Sequence, residues 1–376
     1  MTKIRLGMVG GGKDAFIGAV HRYAARLDGE FELVAGALSS TPKKARDSGL
    51  ALGLDPTRCY GSFDEMAERE AARADGIEAV AIVTPNHVHG VAAAAFLRRG
   101  IHVICDKPLT ATMEQAQELA QVADDSDALF ILTHNYTGYP MIRQAREMIA
   151  RGDLGKIRVV QVAYAQDWLA DDTGGKQADW RTDPARAGLG GAVGDIGSHA
   201  HNLACFVSGL RVDSLAADLQ SFVPGRAVDD NAHVMLRFEG GARGMLWCSQ
   251  VAVGNENALS LKVYGETGGL EWAQEAPNVL WFTPFGAPKQ LLTRSGAGAS
   301  ASANAVSRTP GGHPEGYLEA FANIYTEAAV AIRAAQKKRQ ISTVLPGMSE
   351  GLAGMQFIEV CVRSSLNDAA WTRLEY

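Results

Sequence analysis

The sequence predicts an α/β protein with two domains: an N-terminal doubly wound domain with a parallel sheet, and a C-terminal α+β domain with a large, mostly antiparallel sheet. Up to residue 136, short and almost continuous apolar runs alternate with helical patterns, which is typical of parallel strands that helices cover on both faces. Beyond that point the strands are longer and alternate apolar with polar residues, as in a sheet with one solvated face. We therefore expect domains over 1–136 and 137–376.

Five apolar runs are predicted as the strands of the first domain, and the patterns between them as four helices. The predicted strands are residues 4–9, 31–38, 79–84, 102–107 and 129–133, and the predicted helices are residues 17–27, 42–52, 87–99 and 113–124. The last helix begins with a capping box, in which Thr112 and Gln115 satisfy open amides of the first turn.

The second domain is predicted to begin with a helix, because Pro140 suits a first helical turn and Gly152 suits a stop after residue 150. Gly240-Gly241 is a hairpin signal between two strands. The predicted strands are residues 156–168, 211–223, 231–239, 241–253 and 259–272, followed by an irregular Ser/Ala/Gly-rich loop at 294–312 and helices at about 315–337 and 346–365.

Composition excludes several classes of protein. The net charge of −6 is spread along the chain without a basic stripe, which argues against a nucleic-acid partner. No apolar run approaches the roughly 20 residues that cross a bilayer, and the start MTKIRLGMVGGG passes directly into a strand without a leader, so we expect a cytoplasmic protein without a membrane partner. The cysteines form no CxxC pair and are expected to be reduced residues that bind no metal: Cys59, Cys105, Cys205, Cys248 and Cys361.

The first strand ends in a glycine turn, GGGKDAFIGAVH at 10–21. Gly10 permits a tight turn, and Gly12 lets the backbone approach a pyrophosphate at the N-terminus of the following helix. The usual GxGxxG spacing is not met, because Gly18 comes six residues after Gly12. We predict a dinucleotide site here, with an ordinary glycine-rich connection as the alternative. The other residues of the turn assigned to the cofactor are Lys13, Phe16 and Ile17.

The end of the second strand leaves the choice of nicotinamide cofactor open. The segment is ALSSTPKK, with Ser39 and Ser40 where a carboxylate would bind the adenosine ribose, and Lys43 nearby. Serine can bind either a hydroxyl or a phosphate, whereas lysine favours a phosphate. These residues therefore tolerate both NAD and NADP.

The segment GDIGSHAHN at 194–202 places an acid and an imidazole on one helical face. Asp195 and His199 are four residues apart, so on a helix their side chains are neighbours. His201 points to nearly the opposite side and is expected to be packing, which excludes a metal site made by the two histidines. Two alternatives stay open: Asp195 as a helix cap, and His199 as a buried hydrogen-bonded residue.

Three segments, taken with the glycine turn, resemble the Gfo/Idh/MocA family of nicotinamide-dependent sugar and cyclitol dehydrogenases: TPNHVHG (84–90), CDKP (105–108) and GDIGSHAHN (194–202). The resemblance implies an N-terminal Rossmann domain and a C-terminal domain on a large, mostly antiparallel sheet. Three departures stand out. The glycine turn carries extra residues. Asp106 replaces the usual glutamate before the lysine, and Asn202 stands where many members have a second aspartate.

The resemblance also implies roles for individual residues. As hydride leaves a secondary alcohol carbon, His199 would take the hydroxyl proton and Lys107 would donate to the developing alkoxide. Asp195 would bind a neighbouring hydroxyl and orient the imidazole. A surface position at the end of a strand is the alternative for Lys107. The resemblance also assigns six residues to the cofactor site: Thr84, Pro85, Asn86, His89, Asp106 and Lys107.

Two further segments, DWRTDP (179–184) and GGHPEG (311–316), look like a branch of the family that acts on cyclitols and related pyranoses. There Arg181 and His313 would reach substrate hydroxyls. An internal ion pair is the alternative for Arg181, and a helix start before Pro314 is the alternative for His313. The further substrate-binding candidates are Tyr136 and Asn202.

The sequence therefore predicts a dehydrogenase that oxidises a cyclitol or aldopyranose, of the scyllo- or myo-inositol or L-glucose type, with NAD as the expected cofactor and NADP as the alternative. A related NAD-dependent glycosidase and a non-catalytic sugar sensor remain as other interpretations. Because an extended apolar sheet face is costly to leave in water, we also expect a homotetramer or a homodimer.

Overall fold

The protein, represented by a computed structural model, is described over residues 2–13, 15–171, 176–339 and 341–375, with the side chains of 176 and 177 left aside. Two compact units are present. The first comprises Met1–Asn135 and Phe321–Leu352, and the second comprises Tyr136–Ala320 and Ala353–Tyr376.

The first unit is built on a parallel sheet of five strands in the order β2-β1-β3-β4-β5. The strands are β1 (Ile4–Gly10), β2 (Phe31–Ala37), β3 (Ala79–Val83), β4 (His102–Cys105) and β5 (Phe130–Leu132). The helices are α1 (Phe16–Leu27), α2 (Pro42–Ala51), α3 (Phe63–Ala71), α4 (Asn86–Leu97) and α5 (Met113–Asp124). The prediction of a doubly wound parallel domain is confirmed.

Two local features of this unit refine the prediction. Helix α3 was not predicted, although Ser62 caps it by accepting a hydrogen bond from the Glu65 amide, and Phe63, Met66 and Ala67 recur at helical spacing. The helix is short and most of its side chains are polar, so this signal was missed. At the start of α5, Thr112 accepts from the Gln115 amide as expected, whereas the Gln115 side chain accepts from the amide of Ala111.

The second unit is built on a sheet of nine strands in the order β13-β12-β11-β10-β6-β9-β8-β7-β14. The strands are β6 (Ile157–Ala165), β7 (Val212–Gln220), β8 (Asn231–Phe238), β9 (Arg243–Ser249), β10 (Ala258–Gly265), β11 (Gly268–Ala273), β12 (Val279–Pro284), β13 (Gln290–Thr293) and β14 (Thr372–Arg373). Neighbouring strands are antiparallel except β6 and β9, which are parallel. The predicted large, mostly antiparallel sheet is confirmed.

The described ranges contain seven further helices: α6 (Pro140–Ala150), α7 (Lys176–Arg181), α8 (Pro184–Ala187), α9 (Ser198–Ser208), α10 (Ala301–Ala305), α11 (Tyr317–Gln336) and α12 (Met348–Leu366). A π-helical turn, Val193–Gly197, leads directly into α9. No helix in the described ranges is long and apolar enough to cross a bilayer.

Some boundaries in the second unit differ from the prediction. The single strand predicted over 259–272 is wrong: β10 and β11 form a hairpin that turns at Glu266 and Thr267, because alternation with period two continues through a two-residue turn. The predicted loop at 294–312 contains α10, which the Ser300 hydroxyl caps. Gly240 and Gly241, both with positive φ, join β8 to β9 as predicted.

A return of the chain to the first unit was also not predicted. Tyr325 in α11 is buried, and its hydroxyl lies 2.8 Å from Nδ1 of His21 in α1. The Leu132 amide of β5 donates to the carbonyl of Pro346 at 2.9 Å. The apolar pattern of α11 predicts a helix but does not identify the sheet that the helix covers. A single domain boundary at residue 136 therefore could not assign residues 321–352 to the first unit.

His201 lies in the core of the second unit, as expected for a packing residue. It is 3% exposed and stacks on Phe357 of α12, with ring centroids 4.4 Å apart and an interplanar angle of 13°. Burial lowers the pKa of His201 to about 4. Because the folded protein holds this ring neutral, its contribution to stability is complete above the unfolded pKa and is lost as the pH falls toward the folded value.

We expect His201→Phe to make the protein less sensitive to acid. Between about pH 7.5 and about pH 5, this histidine alone should remove about 2 kcal/mol from the free energy of unfolding of the wild type, and the variant should not show that loss. Urea unfolding followed by circular dichroism at both pH values measures the difference. His313→Ala, which removes an exposed imidazole, is the control, and an unchanged acid sensitivity in His201→Phe would contradict the expectation.

Candidate active site

The glycine turn after β1 is fixed by backbone geometry. Gly10 and Gly11 have φ of 76° and 67°, values that favour glycine. A Cβ on Gly10 would lie 2.6 Å from the carbonyl oxygen of Val83, and one on Gly12 would lie 2.4 Å from that of Leu38. The turn is therefore tight, as predicted, and Gly12 is also needed because the end of β2 passes close to it.

Gly18 packs closely against the glycine turn, although it comes later in the sequence than the last glycine of a GxGxxG motif would. A Cβ on Gly18 would lie 2.3 Å from the Cα of Gly11, so helix α1 packs directly on the turn. Arg22 lies one turn further along the same helix, and its guanidinium donates to the Gly11 carbonyl oxygen at 2.5 Å. The additional residues in the turn thus leave the contact between helix and turn intact, which the spacing rule alone did not indicate.

The start of α1 fits an anionic group. Its N-cap residue is Ala15, which has no side-chain acceptor for the amides of the first turn, and such amides with the helix dipole favour a phosphate. Around it, the Lys13 amide donates to Ser48 Oγ at 3.2 Å. Phe16 is 68% exposed and Ile17 is half-buried.

The residues after β2 lie at the surface. Ser39 Oγ accepts from the Thr41 amide at 3.3 Å, and Ser40 is exposed. Lys43 Nζ forms an ion pair with Asp47 at 2.7 Å, one helical turn away, and this contact raises the pKa of the lysine. The positive charge of Lys43, three residues after Ser40 in the sequence, is therefore already paired with a carboxylate.

The loop after β3 offers an open polar atom at the edge of the sheet. Thr84 follows β3, Pro85 is the N-cap of α4, and Asn86 is its buried first residue. Thr84 Oγ1 is buried and has no hydrogen-bond partner among the described residues. Because strand order reverses between β1 and β3, ligands of doubly wound sheets bind at this edge. The Thr84 hydroxyl has no hydrogen-bond partner among the described residues, and the first turn of α1 has no side-chain cap. Together these two features fit a dinucleotide.

His89 connects the loops that follow β3 and β4. The ring is 1% exposed, with Nε2 2.8 Å from the Thr84 carbonyl oxygen and Nδ1 2.8 Å from the Pro108 carbonyl oxygen. Both ring nitrogens are thus engaged with backbone, which leaves no polar atom of the ring for a ligand. The resemblance implies a cofactor contact for His89, whereas in the structure both ring nitrogens lie against backbone carbonyls of the two loops.

Asp106 supports the loop that carries Lys107. Its Oδ1 accepts from the Lys107 amide at 2.9 Å and from the Thr133 hydroxyl at 3.1 Å. The short side chain of aspartate can reach the amide of the next residue, which gives this departure from the usual glutamate a role in the loop. Lys107 is half-buried and is joined to Pro108 by a cis peptide bond.

In the second unit, Asp195 lies in the π-helical turn and His199 in the first turn of α9. The start of the π-helical turn is held by Asp229, whose carboxylate accepts from the amides of Gly191 (2.6 Å) and Val193 (2.8 Å). Burial raises the pKa of Asp229 to about 6. Sequence reasoning missed this residue, because nothing near Asp229 in the sequence identifies its partners.

Asp195 is clamped by two side chains. Its Oδ2 accepts from Nε of Arg181 at 3.1 Å and from Nε2 of Gln250 at 3.0 Å. The Arg181 guanidinium also lies over the rings of Trp180 (4.3 Å) and Trp168 (5.7 Å). The internal ion pair that the sequence left open for Arg181 is thus present, and Gln250 and both tryptophans are neighbours that the motifs did not identify.

His199 lies against two buried tyrosines and is 8% exposed. Its ring centroid is 4.9 Å from that of Tyr136, edge to face, and 6.3 Å from that of Tyr164. The two tyrosine hydroxyls are hydrogen-bonded to each other, and Tyr164 donates to Asn257 Oδ1 at 2.7 Å. Tyr136 therefore fixes the imidazole ring, with its hydroxyl used inside the protein.

The last two candidates lie in different surroundings. Asn202 is buried in α9 three residues after His199, so the two share a helical face. His313 has an exposed side chain, and its carbonyl oxygen accepts from Arg294. Within the described ranges, no hydrogen bond, ion pair or ring contact joins the His313 side chain to Asp195 or His199.

The glutamate of the GGHPEG segment has a structural role that the motif did not reveal. Glu315 is buried with Arg294 in an ion pair of 3.0 Å, and it also accepts from the amides of Arg308 and Thr309.

Across the described part of the chain, no three His, Cys, Asp or Glu side chains form a group that could hold a metal ion.

Comparison with known proteins agrees with this arrangement. Residues 4–134 match the oxidoreductase family with an NAD-binding Rossmann fold, and residues 142–271 match the GFO/IDH/MocA C-terminal domain. The chain is 36% identical to the uncharacterized oxidoreductase YfiI of Bacillus subtilis (strain 168), over 99% of this chain and 97% of that protein.

Solved structures show the same similarity over the whole chain. An oxidoreductase from Sinorhizobium meliloti is 62% identical with a TM-score of 0.92, over 99% of this chain and 100% of that one. An inositol dehydrogenase homolog from Azotobacter vinelandii, complexed with NADH and myo-inositol, is 36% identical with a TM-score of 0.93, over 99% of this chain and 98% of that one. The chain therefore belongs to the Gfo/Idh/MocA family of oxidoreductases, and its N-terminal sheet is the NAD-binding Rossmann fold of that family.

Proposed function

We propose that the protein oxidises a secondary alcohol or hemiacetal carbon of an uncharged cyclitol or aldopyranose, with myo-inositol, scyllo-inositol and L-glucose as the substrates to test first. The observation that carries the proposal is the clamped carboxylate of Asp195, four residues before His199. Arg181 balances the charge of Asp195, so the polar surface suits neutral hydroxyls better than an acidic sugar. The Azotobacter vinelandii homolog with bound myo-inositol supports the same substrate class.

In the proposed reaction, NAD supplies the acceptor for the hydride. His199 takes the proton of the reacting hydroxyl, since an imidazole can accept a proton near neutral pH. Lys107 donates to the alkoxide oxygen as negative charge develops there. Asp195, held by Arg181 and Gln250, accepts a hydrogen bond from a neighbouring hydroxyl and orients the substrate.

The residues that would hold NAD are those at the carboxyl edge of the parallel sheet. The first turn of α1 would bind the pyrophosphate, and Thr84 Oγ1 would bind a polar group on the nicotinamide side. We propose NAD in preference to NADP, because the ion pair with Asp47 occupies the charge of Lys43 that would otherwise attract a 2′-phosphate.

We also propose that the protein self-associates through the open face of the nine-stranded sheet. One cross-strand row on this face runs from the exposed Met235 and Met245, through polar side chains on β6, β10 and β11, to the exposed Trp281 and Leu291. Because the row is apolar at both ends and polar in the middle, a two-fold related copy would lay apolar ends on apolar ends. A dimer or tetramer built in this way removes an apolar patch from water.

We expect a matrix of inositols and aldopyranoses against NAD and NADP to show reduction of the nicotinamide, measured as absorbance. His199→Ala should lower kcat by about 100-fold or more, while NADH still binds in a fluorescence titration. His201→Phe, on the same helix and outside the site, is the matched control. Cleavage of a chromogenic glycoside without net reduction would favour the glycosidase interpretation, and binding of sugar and cofactor without turnover would favour the sensor. Near-normal kcat in His199→Ala would contradict the role of the imidazole.

Asp47→Ala should raise the relative use of NADP. Without its carboxylate partner, Lys43 is available to a 2′-phosphate, and we expect the ratio of kcat/KM for NADP to that for NAD to rise about three- to tenfold. The double variant Lys43→Ala/Asp47→Ala should lose this gain. An unchanged ratio in Asp47→Ala would show that Lys43 does not read the cofactor.

Met245→Lys should weaken self-association, because it places a charge in the apolar end of the cross-strand row. Sedimentation velocity of the wild type should show a dimer or tetramer, and the variant should shift toward smaller species. Val253→Lys is the matched control, since Val253 is 82% exposed and lies outside the row. A monomeric wild type, or a variant that sediments as the wild type does, would contradict the proposal.

A further inference from the structure

The two loops that carry the assigned cofactor and catalytic contacts of the first unit are joined through one buried side chain. Thr84 follows β3, and Lys107-Pro108 follows β4, the next strand in the sheet. His89, in the first turns of α4, lies with one ring nitrogen 2.8 Å from the Thr84 carbonyl oxygen and the other 2.8 Å from the Pro108 carbonyl oxygen. The ring is 1% exposed, so water does not compete for either contact.

The chemistry of the ring matches this bridging position. A carbonyl oxygen only accepts, so a neutral imidazole donates to one of the two carbonyls and an imidazolium donates to both. Burial lowers the pKa of His89 and Lys107 adds to that effect, whereas the Asp106 carboxylate and the two carbonyls oppose it. His21 is a further titratable group that faces His89. The imidazolium bonds both carbonyls, and the neutral ring bonds one of them. Because His89 belongs to the helix that directly follows the Thr84 loop, the bond to Pro108 is the one that joins the two loops.

We propose that His89 is a positioning residue, which ties the loop after β3 to the loop after β4. In this way it keeps Lys107 at a fixed position relative to the assigned cofactor contact at Thr84. The inference rests on the proposed function, in which Lys107 donates to the alkoxide. As a positioning residue, His89 touches neither substrate nor cofactor, and acts through the backbone of Thr84 and Pro108. The second support of the same loop is Asp106, which accepts from the Lys107 amide and the Thr133 hydroxyl.

The loop depends on these two side chains for different parts of its backbone. Asp106 fixes the amide of Lys107, and His89 fixes the carbonyl of Pro108, so the lysine is held on both sides. Loss of the His89 contact removes the support on the Pro108 side, while Asp106 still accepts from the amide of Lys107. Since a displacement of about 1 Å in a reacting group can cost about 100-fold in rate, the proposal predicts a catalytic effect without loss of the fold.

The test compares His89→Gln and His89→Leu in the full-length protein. Glutamine keeps one donor for one of the carbonyls, and leucine keeps none. We expect kcat to fall about tenfold in His89→Gln and about 100-fold in His89→Leu, with the KM for the polyol within about threefold of the wild type. Hydrogen exchange read by mass spectrometry should show faster exchange in the segment 105–112 of both variants.

His102→Gln is the matched control. His102 is also a buried histidine with a backbone contact, since its Nδ1 accepts from the Leu129 amide at 2.9 Å, but it lies at the opposite end of β4. The control should lower the melting temperature without changing kcat or the exchange of segment 105–112. If it lowers kcat as much as His89→Gln does, the effect is one of general stability and the positioning role is overturned.

The remaining outcomes separate this inference from the proposed function. Faster exchange in segment 105–112 with unchanged kcat would overturn the positioning role, and unchanged exchange in both variants would overturn the tie itself. If no polyol or sugar is oxidised by the wild type, the proposed function fails, while the exchange measurement still decides whether His89 ties the loops. If both variants unfold and lose NADH binding, His89 is a folding residue and the proposal is overturned.

Discussion

The parallel sheet of the first unit imposes the constraint on which the cofactor site depends. Strand order reverses between β1 and β3, so the chain leaves the two strands in opposite directions and a crevice opens at their carboxyl ends. The glycine turn, the Thr84 loop and the Lys107 loop all begin where β1, β3 and β4 end. Each assigned contact of this unit is therefore placed by the sheet, and the local side chains only refine it.

In the second unit the corresponding element is an ion pair. Asp195 lies in a π-helical turn, where an isolated carboxylate near buried aromatic rings would be costly, and Arg181 and Gln250 both donate to it. Asp229 holds the same turn from its amide side. The carboxylate is thus fixed and partly neutralised, which suits it to accept hydrogen bonds from an uncharged polyol.

The sequence predicted those features that depend on local order along the chain. Apolar runs located all five parallel strands, and the motifs located Asp195 and His199 on one helical segment. It did not predict contacts made by distant residues: Gln250 follows β9, and Asp229 precedes β8. Neither residue belongs to a sequence motif, because each acts through contacts with residues that are distant in the sequence. Likewise, the spacing rule missed the contact between Gly18 and Gly11, which depends on three-dimensional approach.

In the proposed reaction a hydride leaves a polyol carbon for the nicotinamide while His199 removes the hydroxyl proton. The most direct measurement is a single turnover of the enzyme with NAD and perdeuterated inositols or aldopyranoses, followed by mass spectrometry of the nicotinamide. We expect reduced nicotinamide that carries one deuterium, formed about 100-fold or more slowly by His199→Ala than by the wild type. Binding of these substrates to the folded, NAD-loaded enzyme without any transfer of deuterium would contradict it.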